Sequence, residues 1–277
     1  MYGRLKQFWL QSYATMDKLY IIKIGGNIVD DSAKLAAFLQ SFALLQGNKI
    51  LVHGGGKLAT RVAEGMGIEQ QMVDGRRITD AETLKVVTMV YAGHINKSIV
   101  ASLQQHGCNA AGLTGADGNF IQAVKRPLKN GVDYGFVGDV QQVNAMLVKD
   151  LLQRNITPVV APITHDGKGQ LLNTNADTIA QEVAKALSAF YETALIYSFE
   201  KPGVLLNADD DATVIPVINA TYYKELKEKQ LVFAGMLPKL DNAFAAIDSG
   251  VRKVIIGKAE ELPLLISGNA GTQIIHD

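Results

Sequence analysis

The chain has 277 residues, 48% hydrophobic and 19% charged, which is enough apolar material for a large buried core in one domain or two lobes. Lys+Arg and Asp+Glu both number 27, so a zero formal net charge excludes a global electrostatic case for binding nucleic acid or an acidic membrane surface. A single cysteine, Cys108, excludes an internal disulfide framework and a cysteine-built metal cluster, and fits a reducing cytoplasm.

Residues 1–15 carry aromatic and basic side chains but no apolar stretch with a small-residue cleavage site. They read as a loosely attached extension through residue 16, with Met16 as an alternative start. No apolar run reaches the roughly 18 residues needed to cross a bilayer, so no membrane partner is expected.

Lys18–Ile24 is an apolar run with Lys23 near its end, stopped by Gly25 and Gly26. Ser32 is the expected cap of a helix in which Leu35, Phe38, Leu39, Phe42 and Leu45 recur at the spacing of one buried face. A second strand ends in Leu51-Val52-His53 and runs into Gly54-Gly55-Gly56-Lys57, followed by a helical pattern to about Met66. Strand, helix, strand implies parallel pairing through a right-handed crossover. Both glycine clusters then lie at the carboxyl edge of one sheet, where open α/β folds bind ligands. Glycines there can aim N–H groups at an anion, or can simply make a tight turn.

Val73 to Ile78 reads as a turn or short hairpin, with Asp74-Gly75 at the bend and two adjacent guanidinium groups, Arg76 and Arg77. Strand neighbours point to opposite faces, so one arginine can grip a carboxylate in a cleft while the other stays solvated. Thr79-Asp80-Ala81-Glu82 has capping-box spacing and predicts the longest helix, through Val87, Tyr91, Ile95 and Ile99 to about Gln105. Strands are expected at Ala110–Leu113, 120–124 and 136–143, with mixed pairings. Asn144 caps the next helix, and residues 157–163 are expected to add one more strand to the parallel sheet.

Asn173-Thr174-Asn175-Ala176-Asp177 enters a helix running to about Leu187. One Asn suffices as a cap, which leaves side chains to fix a ligand or orient a lysine. After a strand from Ala194 come a Pro202-Gly203 turn, a short hairpin over 204–215 and a helix opened by Thr221. Gly235-Met236-Leu237-Pro238-Lys239 then starts a helix ending at Gly250, with Pro238 suited to its first turn. Lys239 sits where the helix dipole disfavours a cation, and a nearby phosphate would account for it. Strands over 253–256 and 272–275 close the chain.

The dinucleotide fingerprint, the P-loop and the protein-kinase motifs are all missing, and the five histidines are scattered without metal-ligand spacing. Dehydrogenase, hydrolase and metalloenzyme readings weaken accordingly. Phosphoryl transfer stays open because it needs positioning and charge neutralisation, which glycine N–H groups and two lysines supply.

Five motifs carry a resemblance: Lys23-Ile24-Gly25-Gly26, His53-Gly54-Gly55-Gly56, Asp74-Gly75-Arg76-Arg77, Asn173 to Asp177, and Gly235 to Lys239. In this order and approximate spacing, from about Lys18 onward, the chain resembles the amino acid kinase family. The resemblance implies an α/β, three-layer αβα sandwich with a mainly parallel open central sheet. It implies an N-terminal lobe over 17–172 for the amino-acid substrate and dimerisation, and a C-terminal lobe over 173–277 for ATP.

The implied reaction moves the γ-phosphoryl group of ATP to the side-chain carboxylate of N-acetyl-L-glutamate, a step of arginine biosynthesis. N-succinyl-L-glutamate as acceptor, or a non-catalytic metabolite sensor of the same fold, are the alternatives. By the same resemblance, Lys23 and Lys239 neutralise the transferring phosphoryl group, Asp177 holds the lysines, and Gly26 and Gly55 offer backbone N–H groups. Gly55, Gly56, Arg77 and Asn173 line the acceptor site. Glu200, Lys201, Pro202, Gly203 and Val204, with Leu231, Val232 and Phe233, contact the nucleotide. Mg2+ arrives on ATP, with no metal ligand expected from the protein.

Three positions depart from the family pattern. Phe199-Glu200-Lys201-Pro202-Gly203 replaces an acidic residue preceding Val-Pro-Gly, Ala234 replaces a second glycine before Gly235, and Arg76 replaces an apolar residue before Arg77. Arg76 could serve a more acidic acyl group, such as succinyl. Arginine-inhibited members share a His before the final Gly-Thr that residues 260–269 lack. The expectation is therefore a cytoplasmic homodimer without arginine regulation.

Overall fold

Two largely buried strands form the middle of the main sheet. They are β1 (Lys18–Ile24) and β2 (Asn48–His53), and they pair in parallel, with Lys23 opposite Val52 and Ile24 opposite His53. The computed structural model describes residues 16–73, 76–128, 130–229, 231–232 and 236–277. The expected extension over 1–15, the Asp74-Gly75 bend, and Phe233, Ala234 and Gly235 lie outside the described residues.

Between β1 and β2 come a one-turn helix α1 (Gly26–Val29) and helix α2 (Ser32–Leu44). The cap of α2 is Asp31, not Ser32: its carboxylate accepts from the N–H groups of Ala33 and Lys34. A charged acceptor beside the positive helix end outcompetes the neighbouring hydroxyl. Helix α3 (Gly56–Gly65) follows β2, and the short strands β3 (Met72–Val73) and β4 (Arg76–Arg77) pair antiparallel.

The long helical stretch has three parts, α4 (Ala81–Thr88), a π-helical segment Met89–Ile95, and α5 (Asn96–Gln105). Its cap is Asp80, which accepts from Thr83 N–H at 2.7 Å, rather than Thr79. Thr79 is fully buried and bridges to Gly135.

Next come β5 (Ala110–Leu113), β6 (Ile121–Lys125), β7 (Gly138–Val143) and helix α6 (Ala145–Gln153), the last capped by Asn144 as expected. Residues 157–163 do not make one strand. They split into β8 (Thr157–Val160) and β9 (Ile163–His165), which belong to different sheets. Pro162, between them, has no N–H to give to a ladder. Then follow β10 (Leu171–Asn173), α7 (Ala176–Leu187), β11 (Glu192–Phe199), β12 (Val217–Ile218) and α8 (Ala220–Glu228). Helix α8 is capped by Asn219 instead of Thr221. The chain ends with α9 (Leu237–Asp248), β13 (Lys253–Lys258), α10 (Leu262–Ser267) and β14 (Thr272–Ile274).

The main sheet has the order β12-β14-β13-β11-β1-β2-β8-β5, with only the β13/β14 pair antiparallel. A second sheet, β10-β9-β6-β7, holds the mixed pairings. Strand alternation sends Leu19 and Ile21 into a core shared with α7 and α9, and Ile22 and Ile24 into a core shared with α2 and α5. Helices therefore cover both faces, which gives the expected three-layer αβα sandwich. Both glycine turns emerge at the carboxyl ends of adjacent central strands.

Candidate active site

Lys23 lies on the β1 face that looks toward α7, and its Nζ is 2.7 Å from Asp177 Oδ1. The helix entrance divides its polar residues by task. Asn175 is the cap, accepting from the N–H groups of Asp177 and Thr178, while Asn173 Nδ2 donates to Thr79 Oγ1 at 3.0 Å. Asp177 is left to face the lysines. Burial alone would raise its carboxyl pKa, but Lys23 and then Lys239 outweigh burial and hold it below the usual carboxylate range.

Lys239, in the first turn of α9, is the second cation beside that carboxylate. Burial lowers its pKa, Asp177 opposes the shift and Lys23 reinforces it. Its Nζ stands 5.1 Å from the centroid of the Phe199 ring, within cation–π range.

Gly55 has φ +145°, and a Cβ there would collide with Ile95 Cδ1 from the π-helical segment, so only glycine fits. His53 beneath the loop is fully buried, with Nδ1 2.8 Å from Gly54 O and Nε2 3.1 Å from Asn96 Nδ2. Asn96 Nδ2 also donates to Val159 O. With Nδ1–H donating and Nε2 accepting, the ring is neutral. Burial lowers its pKa to about 4, against the pull of the Gly54 carbonyl, and Lys97 lowers it further. His53 thus holds the glycine turn from behind rather than reaching into the cleft.

Arg77 is buried and heavily committed. Its Nη2 donates to Gly56 O at 2.9 Å and Thr60 Oγ1 at 2.8 Å, and its Nη1 to Gln70 Oε1. Arg76 is exposed, yet both arginines line one cleft of about 260 Å³ together with Lys23, Gly26, Gly55, Gly56, Asn173 and Asp177. The cleft thus brings together the expected acceptor-side residues and, of the phosphoryl-side ones, all but Lys239. The sequence reading missed Tyr91 and Arg126, which also line the cleft. Arg126 directs Nε and Nη2 to Asp139 Oδ1, at 2.9 and 2.6 Å, and stacks 5.6 Å from the Tyr134 ring centroid. Only the Arg126-Pro127 step, a break after a strand, could have flagged it.

A separate, mainly apolar cavity of about 270 Å³ opens beside Lys239, lined by Phe199, Lys201, Gly203, Leu205, Ala208 and Met236. Of the expected nucleotide contacts it gathers Lys201 and Gly203. Glu200 and Leu231 are exposed outside its lining, and Pro202 borders another hollow near Leu264 and Gly271. Val204 and Val232 are core side chains instead of cavity walls. Val204 is fully buried, and its N–H is taken by Thr272 Oγ1 at 2.8 Å. Apolar residues next to a Pro-Gly turn look alike in sequence whether they face a ligand or the core. Among the described residues, no group of three or more His, Cys, Asp or Glu side chains is placed to hold a metal ion, and no helix is long and apolar enough to cross a membrane.

The profile of the amino acid kinase family matches residues 18–258. An acetylglutamate kinase from Cytophaga hutchinsonii is 59% identical over 262 residues, covering 94% of this chain and 99% of that protein. Another acetylglutamate kinase, from Bacteroides thetaiotaomicron, is 55% identical over 258 residues, covering 93% and 98%. Among solved structures, N-acetylglutamate synthase from Neisseria gonorrhoeae, complexed with coenzyme A and N-acetyl-glutamate, superposes with a TM-score of 0.79 at 20% identity. The match covers all of this chain and 64% of that one. A Giardia carbamate kinase gives 0.66 at 15% identity, covering 95% and 100%. At such identities the structural likeness speaks for the fold.

Proposed function

The chain belongs to the amino acid kinase family, and from that membership we propose that it transfers the γ-phosphoryl group of ATP to the side-chain carboxylate of N-acetyl-L-glutamate. The product is an acyl phosphate, N-acetyl-L-glutamyl 5-phosphate, in arginine biosynthesis. One observation carries this reading: Asp177, which lines the polar cleft, holds Lys23 at 2.7 Å and feels the charge of Lys239, which lines the apolar cavity.

The acceptor carboxylate needs no general base, since it is already an anion. One of its oxygens attacks the γ-phosphorus, the bond to the β–γ bridging oxygen breaks, and ADP leaves with the electron pair. What the protein must supply is alignment and positive charge where negative charge accumulates. We assign the charge to Lys23 and Lys239. Asp177 is assigned as the residue that holds both lysines without contacting either reactant. The N–H groups of Gly26 and Gly55 serve the transferring group.

Arg77, Asn173 and Gly56 bind the acceptor. Phe199, Lys201, Gly203 and Leu205 bind the nucleotide, with adenine suited to the apolar wall. Mg2+ is assigned to the nucleotide, where it would add charge neutralisation to the phosphates. We further propose lobes over 17–172 and 173–277 and a cytoplasmic homodimer without arginine regulation. Light scattering should then give the mass of two subunits, and a six-subunit mass would refute that assignment.

A metabolite sensor has no use for two cations aimed at one phosphoryl position, which favours the enzyme. The test is ADP release with N-acetyl-L-glutamate, with hydroxylamine trapping the acyl phosphate. Trapping is expected from the unaltered protein, and roughly 10²- to 10³-fold more slowly from Lys239→Ala. ADP release without a trappable acyl group would defeat the reading.

A further inference from the structure

Arg77 alone cannot grip a carboxylate as an arginine usually does. A guanidinium presents a fork through Nη1 and Nη2 or through Nε and Nη2, and both forks need Nη2. Here Nη2 donates to Gly56 O and Thr60 Oγ1, and Nη1 donates to Gln70 Oε1. What remains is Nε–H and one N–H of Nη1, which belong to no common fork. Asn173 likewise gives an amide N–H to Thr79 Oγ1. A carboxylate entering the cleft therefore takes single bonds from each, and its oxygens can accept more.

Tyr91 supplies the missing donor. It is a buried residue of the π-helical segment Met89–Ile95, and it lines the cleft. Its ring edge packs beneath the glycine turn, with Cδ1 3.3 Å and Cε1 3.4 Å from the place a Cβ would take on Gly55. Its hydroxyl oxygen and Arg77 Nη2 stand 4.0 and 3.9 Å from the place a Cβ would take on Gly56. Phenol and guanidinium thus flank one position on the turn.

Among the described residues, nothing takes the hydroxyl proton. Arg77 beside it can only donate. Asp30 is near enough for its charge to act on the phenol, yet both of its carboxylate oxygens lack a hydrogen-bond partner. Burial raises the phenol pKa above its ordinary value against the pull of Arg77, so the group stays a neutral donor. A phenylalanine would fill the same space under Gly55. The hydroxyl adds only the cost of desolvation until an acceptor meets it.

Resting on the reading of the chain as an N-acetyl-L-glutamate kinase, we propose that the Tyr91 hydroxyl binds the α-carboxylate of the acceptor. The reacting carboxylate has to lie at Lys23, so the α-carboxylate falls to the Arg77 side of the cleft. There Tyr91 O–H donates to one of its oxygens, and Arg77 and Asn173 donate to the remaining lone pairs. No proton is transferred, and the phosphoryl step is unchanged. The hydroxyl fixes where the far end of the acceptor sits.

Tyr91→Phe keeps the ring against Gly55 and deletes only the hydroxyl. Two compounds locate its action: N-acetyl-L-glutamate, and 4-acetamidobutanoate, which keeps the acetamido group and the side-chain carboxylate but has no α-carboxylate. With ADP release and hydroxamate trapping as readouts, KM of the variant for N-acetyl-L-glutamate should rise roughly tenfold to a hundredfold, the usual range for losing a hydrogen bond to a charged group. Its kcat and its KM for ATP should stay within about twofold, as for loss of a contact made equally before and during transfer. The inhibition constant of 4-acetamidobutanoate against N-acetyl-L-glutamate should be the same in both proteins. Matching losses for the two compounds would show Tyr91 acting only through the packing of Gly55, and would overturn the proposal with the kinase reading left standing. So would an unchanged KM, or a fall confined to kcat. Absence of trapped product from the unaltered protein would overturn both.

Discussion

The two hollows, the cleft that Asp177 lines and the cavity that Lys239 lines, are built on opposite principles. In the polar cleft the side chains are bonded to their surroundings before any reactant arrives, Arg77 to Gly56, Thr60 and Gln70 and Asn173 to Thr79, while behind the glycine turn His53 is bonded to Gly54 and Asn96. The cavity beside Lys239 has an apolar wall, one lysine over an aromatic ring, and Lys201 turned to Asp211 at 3.3 Å. The cleft resembles a preset mould, whose cost in order is met by folding. The cavity offers a greasy surface and adaptable cations. Acceptor recognition should therefore depend sharply on single residues, and nucleotide recognition only gradually.

The largest effect tests the point where the two regions join. On the proposed reading, Lys239→Ala should reduce kcat roughly 10²- to 10³-fold, the usual loss on removing one stabiliser of transition-state charge, with a small change in acceptor KM. Steady-state kinetics with both substrates varied would show it. A rise confined to KM for ATP would instead place Lys239 wholly on the nucleotide side.

Next is the stability of the mould. The folded pKa of His53 lies at about 4, below its ordinary 6.5, so the unfolded chain takes up the proton first. The contribution of this residue is complete above pH 6.5 and declines as the pH falls toward 4. On the order of 3 kcal/mol is lost across that window. Melting temperatures from pH 8 to pH 4 should fall accordingly, and His53→Gln should flatten that part of the curve.

Arg77→Lys should raise KM for the acceptor roughly tenfold to a hundredfold, because a lysine cannot reproduce three directed donors. KM for ATP should hold steady, and a parallel rise in both would erase the contrast between the regions. The smallest effect belongs to Phe199→Leu, at roughly two- to tenfold in KM for ATP, in line with a partly desolvated cation–π contact. The same variant bears on pH. Since burial holds the Lys239 pKa below the ordinary lysine value, the charged form is lost, and kcat/KM should fall, at a lower pH than an exposed lysine would give. Admitting water through Phe199→Leu should move that alkaline limb upward.

Elements with a single competing explanation were legible from the residues. The glycine stops after Ile24 and His53, the Asn144 cap and the Asn173-to-Asp177 entrance all stand where local chemistry puts them. The capping residue was misplaced at α2, α4 and α8, each time because Asp31, Asp80 or Asn219 stood one or two positions away from the hydroxyl. Two adjacent acceptors cannot be ranked without knowing which one the fold buries, and Thr79 is buried. The split at Pro162 depends on a second sheet that exists only once β6, β7 and β10 have assembled. In the candidate site, the polar and glycine residues at turns that line the cleft were recognisable. Tyr91 and Arg126 were not, because they enter the cleft from a π-helical segment and a strand end that look ordinary in sequence.

Strand β1 joins the two halves of the molecule edge to edge, since Lys23 lies opposite Val52 of β2 on one side and Tyr197 of β11 on the other. In mechanical terms the molecule has a keel where many two-lobed enzymes have a hinge. A clamshell rotation would have to tear main-chain ladders on one side of β1. On the proposed reading, reactant exchange would proceed by torsion of one continuous sheet and by local movement at its rim, with Lys23 riding on its central strand.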